Sequence, residues 1–304
     1  MSFLFEKISI LGLGLLGGSV AMAAKKAGIA REVVAWGRRE KALAKAQEQG
    51  VVDSYHLDPR EAVRGADFVL LAVPVDRMES LLEEVASSLA EGVLVSDVGS
   101  VKGALSESLP KCLPAGALYL GSHPMAGSHL RGVEHAGADL FEGAACVVPE
   151  VGENSVPQHA EQQEKLVSFW RALGGNVVQR EARQHDEEVA WVSHLPHAVS
   201  FAFADVLQGA PESCMALAGS GFRDFTRIAK SDASMWSEIL VSNREALAGP
   251  LERVRESLGE MARELASGDA EAVAKRIERG HLAFKLLNST VPARTGESSP
   301  DPEA

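Results

Sequence analysis

Residues 8–19 read Ile-Ser-Ile-Leu-Gly-Leu-Gly-Leu-Leu-Gly-Gly-Ser, an apolar run that leads into three glycines spaced as Gly-x-Gly-x-x-Gly. Between a strand and a helix, this spacing is typical of a turn that binds the pyrophosphate of a dinucleotide. Gly12 allows the tight turn, Gly14 lets the backbone approach the phosphates, and Gly17 lets the helix pack closely on the strand. The N-terminus of the following helix offers unpaired N–H groups to the phosphates, and Leu15 and Leu16 are further predicted cofactor contacts. The alternative is a glycine-rich turn without a ligand.

Strand-like and helix-like segments alternate through the first half of the chain. The predicted strands are Ile8–Leu11, Val33–Trp36, Phe68–Val73, Val93–Val98, Ala117–Gly121 and Ala145–Val148. The predicted helices are Gly17–Gly28, Glu40–Gln49, Arg77–Leu89 and Lys102–Leu109. This alternation predicts an α/β fold of the Rossmann type, in which helices cover both faces of a mostly parallel sheet.

The second half is mostly helical in pattern. We expect a dinucleotide-binding domain over 1–152, an all-helical substrate and dimerisation domain over 153–288, and a disordered tail over 289–304. An extra strand at Asn176–Gln179 could extend the edge of the sheet. Long helices at Met235–Leu265 and Ala270–Leu287 carry enough apolar surface to pack against a second copy of the chain. We therefore expect a homodimer formed through the helical domain.

Composition narrows the class of protein. The 304 residues, of which 46% are hydrophobic, suffice for a full core and two domains. The net charge of −12 argues against a nucleic-acid partner, because such binding depends on clustered Lys and Arg. Three widely spaced cysteines, Cys112, Cys146 and Cys214, indicate neither a disulfide framework nor a metal site. Since the sequence has no basic leader and no uncharged run of membrane-spanning length, we expect a cytoplasmic protein without a membrane partner.

The end of the second predicted strand bears on the choice of cofactor. An NAD site usually places a carboxylate about 20 residues after the glycines, where it binds the ribose 2′-hydroxyl. Here that position is Gly37, and Arg38 and Arg39 follow it. Two guanidinium groups can bind a 2′-phosphate, so NADP is favoured over NAD. The alternative is that both arginines only cap the next helix in solvent.

Residues that follow two other predicted strands should line the ligand crevice, because ligands of open α/β sheets bind beyond the carboxyl ends of the strands. The fourth strand ends in Asp-Val-Gly-Ser-Val-Lys (97–102), and the fifth is followed by Ser-His-Pro-Met-Ala-Gly (122–127). We expect Ser100 and His123 to converge on the nicotinamide. Further cofactor contacts are predicted at Ala72, Val73, Pro74, Val98 and Gly99.

Five ordered motifs resemble those of the prephenate and arogenate dehydrogenase family of tyrosine biosynthesis. They are Gly-Leu-Gly-Leu-Leu-Gly-Gly-Ser (12–19), the two strand-end motifs above, Ser-His-Leu-Pro-His-Ala (193–198) and Phe-Arg-Asp-Phe-Thr-Arg-Ile-Ala (222–229). The resemblance implies oxidative decarboxylation of prephenate to 4-hydroxyphenylpyruvate, with hydride transfer to NADP or NAD. Arogenate dehydrogenation, which yields tyrosine directly, is the alternative.

Oxidation of a ring alcohol needs a base that takes the hydroxyl proton, and a neutral histidine suits this role near pH 7. The resemblance and the strand-end position both assign the role to His123. We expect Ser100 to hydrogen-bond both the substrate hydroxyl and His123. The alternatives are a structural histidine before Pro124 and, for Ser100, a simple helix cap before Lys102.

The resemblance assigns the ring carboxylate of the substrate to Arg227, whose planar guanidinium matches a carboxylate with two parallel hydrogen bonds. The alternative for Arg227 is a surface ion pair with Asp224. His194 and His197 flank Pro196, which bends a helix, and His197 is the preferred substrate contact. His194 is nearly as well interpreted as a core histidine.

Residues near the substrate side chain favour prephenate over arogenate. His129 stands where some family members carry an acidic group that would suit the ammonium of arogenate, and Arg131 follows it. Arg223 and Asp224 are further predicted contacts. Trp236 and Phe222 either wall the substrate ring or belong to the core, and Asp186 and Glu187 are interpreted as a solvated helix start.

Two other functions are compatible with parts of the pattern. One is a 3-hydroxyacid or imine reductase with the same two-domain plan, which usually relies on a lysine where residues 193–198 offer histidines. The other is a non-catalytic NADP-sensing protein, which would keep the glycines but have no use for Ser100, His123 and Arg227 together.

Overall fold

The structure is a computed structural model that describes residues 3–127, 130–150 and 157–290. The chain forms two compact units, one ending at Ala246 and the other beginning at Leu247. None of the described helices is long and apolar enough to span a membrane.

A six-stranded parallel sheet organises the first unit. Its strands are β1 (Phe5–Leu11), β2 (Ala30–Trp36), β3 (Ser54–His56), β4 (Phe68–Leu71), β5 (Leu94–Asp97) and β6 (Leu118–Tyr119), in the order β3-β2-β1-β4-β5-β6. The connecting helices are α1 (Leu15–Ala27), α2 (Glu40–Glu48), α3 (Pro59–Val63), α4 (Val75–Val85) and α5 (Gly103–Cys112). The predicted α/β fold is confirmed, whereas β3 and α3 were not predicted.

Both faces of this sheet are buried. Ile8 and Ile10 of β1 point into one core, and Leu11 points into the core on the opposite face. The first core includes side chains of α1, and the second includes side chains of α4 and α5. Because successive residues of a strand face opposite sides, burial on both sides explains why apolar residues predominate in the buried part of these strands.

A second, three-stranded sheet contains β7 (His123–Pro124), β8 (Ala145–Pro149) and β9 (Asn176–Arg180). β7 pairs with β8 antiparallel, and β8 pairs with β9 parallel. The strand predicted at Asn176–Gln179 exists, but it does not extend the main sheet. β6 is only two residues long, and the chain leaves the main sheet after it to form β7 as the start of a separate sheet.

Helices form the rest of the first unit. α6 (Pro157–Ala172) precedes β9, and α7 (Ala182–Val189) follows it. A π-helical segment, Ala190–His194, joins α7 to α8 (Leu195–Val206), and α9 (Ser220–Thr226) and α10 (Ala233–Ser242) come next. The single helix predicted over Met235–Leu265 is wrong, because Asn243 separates α10 from α11 (Arg244–Ser267).

The second unit begins within α11 and continues through α12 (Ala270–Thr290). Gly268, at a φ of 71°, makes the turn between the two helices. Arg276 of α12 forms ion pairs with Glu260 and Glu264 of α11. α12 includes the first two residues of the predicted disordered tail, and residues 291–304 lie outside the described residues.

Candidate functional site

The three glycines after β1 have three different steric surroundings. Gly12 has a φ of 116°, and a Cβ there would lie 2.4 Å from the carbonyl oxygen of Ala72. A Cβ on Gly17 would lie 2.1 Å from the carbonyl oxygen of Gly12. A Cβ on Gly14 would meet nothing within 4 Å. Glycine is therefore required at positions 12 and 17 because a Cβ there would clash with the backbone. The space beside Gly14, in contrast, is open to a ligand.

Neighbouring strand ends hold this turn in place. The N–H of Gly12 donates to the carbonyl of Trp36, and the N–H of Ala72 donates to the carbonyl of Leu11. α1 begins at Leu15 without a side-chain cap. Its first N–H groups can therefore bind an anion, and the turn fits the pyrophosphate of a dinucleotide.

Arg38 and Arg39 follow β2 and are exposed. The backbone carbonyl of Arg39 accepts from the N–H groups of Ala42 and Leu43 at the start of α2, without a capping bond from its side chain. Within the described residues, neither guanidinium forms an ion pair. Both remain compatible with the predicted contact to a 2′-phosphate.

A buried network joins the ends of β5 and β6. Asp97 accepts hydrogen bonds from the hydroxyl of Tyr119 at 2.7 Å and from the N–H of Gly99 at 2.6 Å, and it forms an ion pair with the ammonium of Lys102. The N–H of Ser122 also donates to Asp97. This network holds the 97–102 turn against the segment that carries His123, and no local sequence pattern predicts it.

His123 lies at the end of a chain of three hydrogen-bonded side chains. Its Nδ1 is 2.8 Å from Nε2 of His185, and Nδ1 of His185 is 2.8 Å from Oδ1 of Asp186. Oδ1 and Oδ2 of Asp186 accept from the N–H groups of Lys102 and Gly103, each at 2.8 Å. The prediction that Asp186 begins a solvated helix is wrong, because its carboxylate caps α5 from another element.

Burial governs the protonation of His123. The imidazole is buried, and this burial, together with electrostatic interactions with His185, Lys102 and His194, lowers its pKa well below the usual 6.5. Within the described residues, no hydrogen bond reaches its Nε2. A neutral imidazole near pH 7 is suited to accept a proton.

The predicted hydrogen bond between Ser100 and His123 is not formed among the described residues, where Nδ1 of His123 contacts His185 instead. Ser100 is half-buried and does not cap α5 either, since Asp186 accepts the hydrogen bonds from the N–H groups at the start of that helix. Its contact with a substrate hydroxyl stays a prediction.

A row of side chains leads from His123 to Arg227. His194 lies close enough to His123 to lower its pKa, and Arg227 has the same effect on His197, whose pKa is lowered mainly by burial. The ring of His197 stacks on Trp236 with centroids 3.6 Å apart. Arg227 is exposed and forms no ion pair with a described carboxylate, so the predicted alternative of a pair with Asp224 is absent.

His194 is buried and neutral. Burial lowers its pKa to about 4 against the opposing charge of Asp186. Its Nδ1 is 2.8 Å from the amide nitrogen of Asn243, which also donates to the backbone carbonyl of Asp186. Nε2 has no partner among the described residues. An amide nitrogen only donates, so Nδ1 accepts and Nε2 carries an unpaired N–H.

The remaining predicted contacts are less closely grouped. The guanidinium of Arg223 donates to the carbonyl of Ala218, and Phe222 packs against Phe203 rather than Trp236. Arg131 forms an ion pair with Asp232, the N-cap of α10. His129 lies outside the described residues.

Comparison with known proteins gives consistent matches. Two family models match: "Prephenate dehydrogenase, nucleotide-binding domain" over residues 20–179 and "Prephenate dehydrogenase, dimerization domain" over residues 181–279. The prephenate dehydrogenase of Lactococcus lactis subsp. cremoris is 32% identical over 280 residues, which cover 90% of this chain and 75% of that protein.

Two solved structures extend the comparison. One is Aquifex aeolicus prephenate dehydrogenase in complex with hydroxyphenyl propionate and NAD+. It matches with a TM-score of 0.84 at 28% sequence identity, and the match covers 94% of this chain and 99% of the Aquifex chain. The other is Synechocystis arogenate dehydrogenase. It matches with a TM-score of 0.76 at 27% sequence identity, and the match covers 92% of this chain and 99% of the Synechocystis chain.

Proposed function

The chain belongs to the prephenate dehydrogenase family, and we propose that it converts prephenate to 4-hydroxyphenylpyruvate and prefers NADP as the hydride acceptor. The resemblance seen in the five sequence motifs is thereby confirmed. The observation that carries the proposal is a buried, neutral His123 whose Nε2 is not bonded by any described residue.

In the proposed reaction, His123 acts as the base and Arg227 binds the ring carboxylate of the substrate. His123 takes the proton of the ring hydroxyl on Nε2, while the ring carbon loses hydride. A bound oxidised nicotinamide would supply the acceptor for that hydride. The bond between the ring and its carboxylate then breaks, carbon dioxide leaves, and the electron pair of that bond completes the aromatic ring. The ring oxygen, which bears the resulting negative charge, takes the proton back from His123 and becomes the phenol. Aromatisation supplies much of the driving force, so the chain mainly has to orient the substrate and hold the proton.

Arg227 is proposed to bind the ring carboxylate. We expect Arg227→Lys to raise KM for prephenate about 10- to 100-fold, because hydrogen bonds to charged groups contribute about 1.5–3 kcal/mol and an ammonium lacks the planar fork. Steady-state kinetics measure the effect. Arg244→Lys is the matched control, since its exposed guanidinium bonds the carbonyl of Val241. An unchanged KM in Arg227→Lys would contradict the proposal that Arg227 binds the ring carboxylate.

The choice of prephenate over arogenate is a finer proposal. It rests on His129 in place of an acidic group and on the positive charge of Arg227. His194, His197, Arg223 and Asp224 are kept as proposed contacts to the substrate.

The assay of the proposed function crosses prephenate and arogenate with NADP and NAD and follows nicotinamide absorbance. We expect the highest kcat/KM for prephenate with NADP, because Arg38 and Arg39 favour a 2′-phosphate and Gly37 contributes no carboxylate. Higher kcat/KM with NAD would reject the interpretation of residues 37–39. Turnover of simple hydroxyacids without turnover of either cyclohexadienol would reject the proposed activity.

We also propose that residues 1–152 bind the dinucleotide and that residues 153–288 complete the substrate site and form a homodimer. The matching dimerization-domain model supports the homodimer. Exposed apolar side chains on the second unit, among them Leu258, Leu265, Leu282 and Phe284, suit a surface that a second copy covers.

A further inference from the structure

We propose that Asp186, acting through His185, sets the tautomer of His123 and thereby leaves the lone pair of its Nε2 free to act as the base. His185 and Asp186 are positioning residues, since they act on the reaction through His123. The inference rests on the proposed function, in which His123 is the base, and it replaces the role first predicted for Ser100.

Asp186 fixes the direction of the hydrogen bonds that it shares, because its carboxylate can only accept them. Both of its oxygens already receive backbone N–H groups, from Lys102 and Gly103. Burial tends to raise the pKa of Asp186, but the hydrogen bonds from His185 and from these two N–H groups lower it overall. The side chain is therefore an ionised carboxylate without a proton to donate.

The orientation of the other two hydrogen bonds follows from this carboxylate. Nδ1 of His185, 2.8 Å from Asp186, must carry the proton. In a neutral imidazole the second nitrogen is then an acceptor, so Nε2 of His185 accepts. Its contact at 2.8 Å is Nδ1 of His123, which must donate. His123 is thus protonated on Nδ1 and unprotonated on Nε2.

If the hydrogen bonds between Asp186, His185 and His123 ran in the opposite direction, His123 could not act as the base. If Nε2 of His185 carried a proton, Nδ1 of His123 would accept it and the proton of neutral His123 would lie on Nε2. That tautomer has no lone pair for the substrate hydroxyl. His185 is only 1% exposed, so water does not readily replace Asp186 or His123 as its partner.

The kinetic test uses the whole enzyme and three variants. His185→Phe keeps an aromatic ring but removes the acceptor for His123. We expect kcat for prephenate to fall about 100-fold, a typical contribution of a positioned base, with KM changed little. His185→Gln offers a side-chain oxygen near the position of Nε2, and we expect it to recover most of kcat. His56→Phe, on β3, is the matched control and should behave as wild type.

Nitrogen-15 NMR of the histidine side chains reads the tautomer without any substrate, and His123→Asn identifies the signals. We expect wild-type His123 to be protonated on Nδ1, and His185→Phe to populate the Nε2-protonated form. Thermal unfolding checks that each variant is folded.

Three results decide between the claims. A wild-type His123 protonated on Nε2 would overturn the inference whatever substrate is turned over. Equal kcat in wild type and in folded His185→Phe would also overturn it. An Nδ1-protonated His123 in an enzyme that does not oxidise prephenate would support the tautomer assignment and reject the proposed function instead.

Discussion

His123→Asn lowers kcat for prephenate oxidation by about 10²- to 10⁴-fold, the usual contribution of a general base. The amide of asparagine can still donate to Nε2 of His185, as Nδ1 of the imidazole does at 2.8 Å, but it has no basic atom in place of Nε2. The fold and the dinucleotide turn should be unaffected. Steady-state kinetics measure kcat, and NADPH fluorescence titration checks that cofactor binding is retained.

The pH profile of the wild type provides the second readout for this histidine. Because burial lowers its pKa below 6.5, His123 stays unprotonated as the pH falls from 7 through 6.5. We therefore expect kcat/KM to decline only in more acidic solution. His123→Asn should lose that acid limb, since it removes the titrating group. A variant that keeps wild-type kcat together with the same acid limb would show that another group is the base.

Gly14→Ala abolishes dinucleotide binding without unfolding the protein. The new Cβ meets no protein atom within 4 Å, and the φ of −98° at this residue suits alanine. The cost of losing a glycine N-cap should stay below about 1 kcal/mol. The same Cβ would fill the space through which the backbone approaches the pyrophosphate, so we expect NADPH affinity to fall at least about 100-fold.

Gly17→Ala is the contrasting variant in the same turn. Its Cβ would lie 2.1 Å from the carbonyl oxygen of Gly12, so the protein itself must shift, at a cost of about 1–3 kcal/mol or more. Thermal unfolding of the proteins without cofactor and NADPH titration separate the two effects. Gly14→Ala that binds NADPH like wild type would reject the phosphate site at this turn.

Local chemistry explains what could be predicted of the site. The residues after strand ends were correctly selected as candidates, because parallel strands end at one edge of the sheet. His123 could be identified in this way, since it follows β6 closely. His185 could not, since it lies in α7 as an unremarkable polar residue, and only its contact with His123 gives it a role. A histidine followed by an aspartate within a polar helix carries no local signal that singles the pair out.

The break at Asn243 shows the same limit for the fold. The periodicity from Met235 to Leu265 is helical on both sides of Asn243, so the pattern predicts one helix. In the structure the Asn243 amide bonds the backbone carbonyl of Asp186 and Nδ1 of His194. Those partners are 57 and 49 residues away in the chain, and no window of local sequence contains them.

The sequence by itself determined the parallel α/β architecture and the dinucleotide turn, because both depend on interactions within a few residues: alternating apolar segments, and three glycines whose missing Cβ atoms the turn requires. Only the tertiary structure decided the partner of His123, the helix cap supplied by Asp186 and the separate sheet of β7, β8 and β9. The physical reason is distance along the chain. His123 and His185 are 62 residues apart, and Asp186 and Lys102 are 84 apart, so their hydrogen bonds exist only once the surrounding elements have packed.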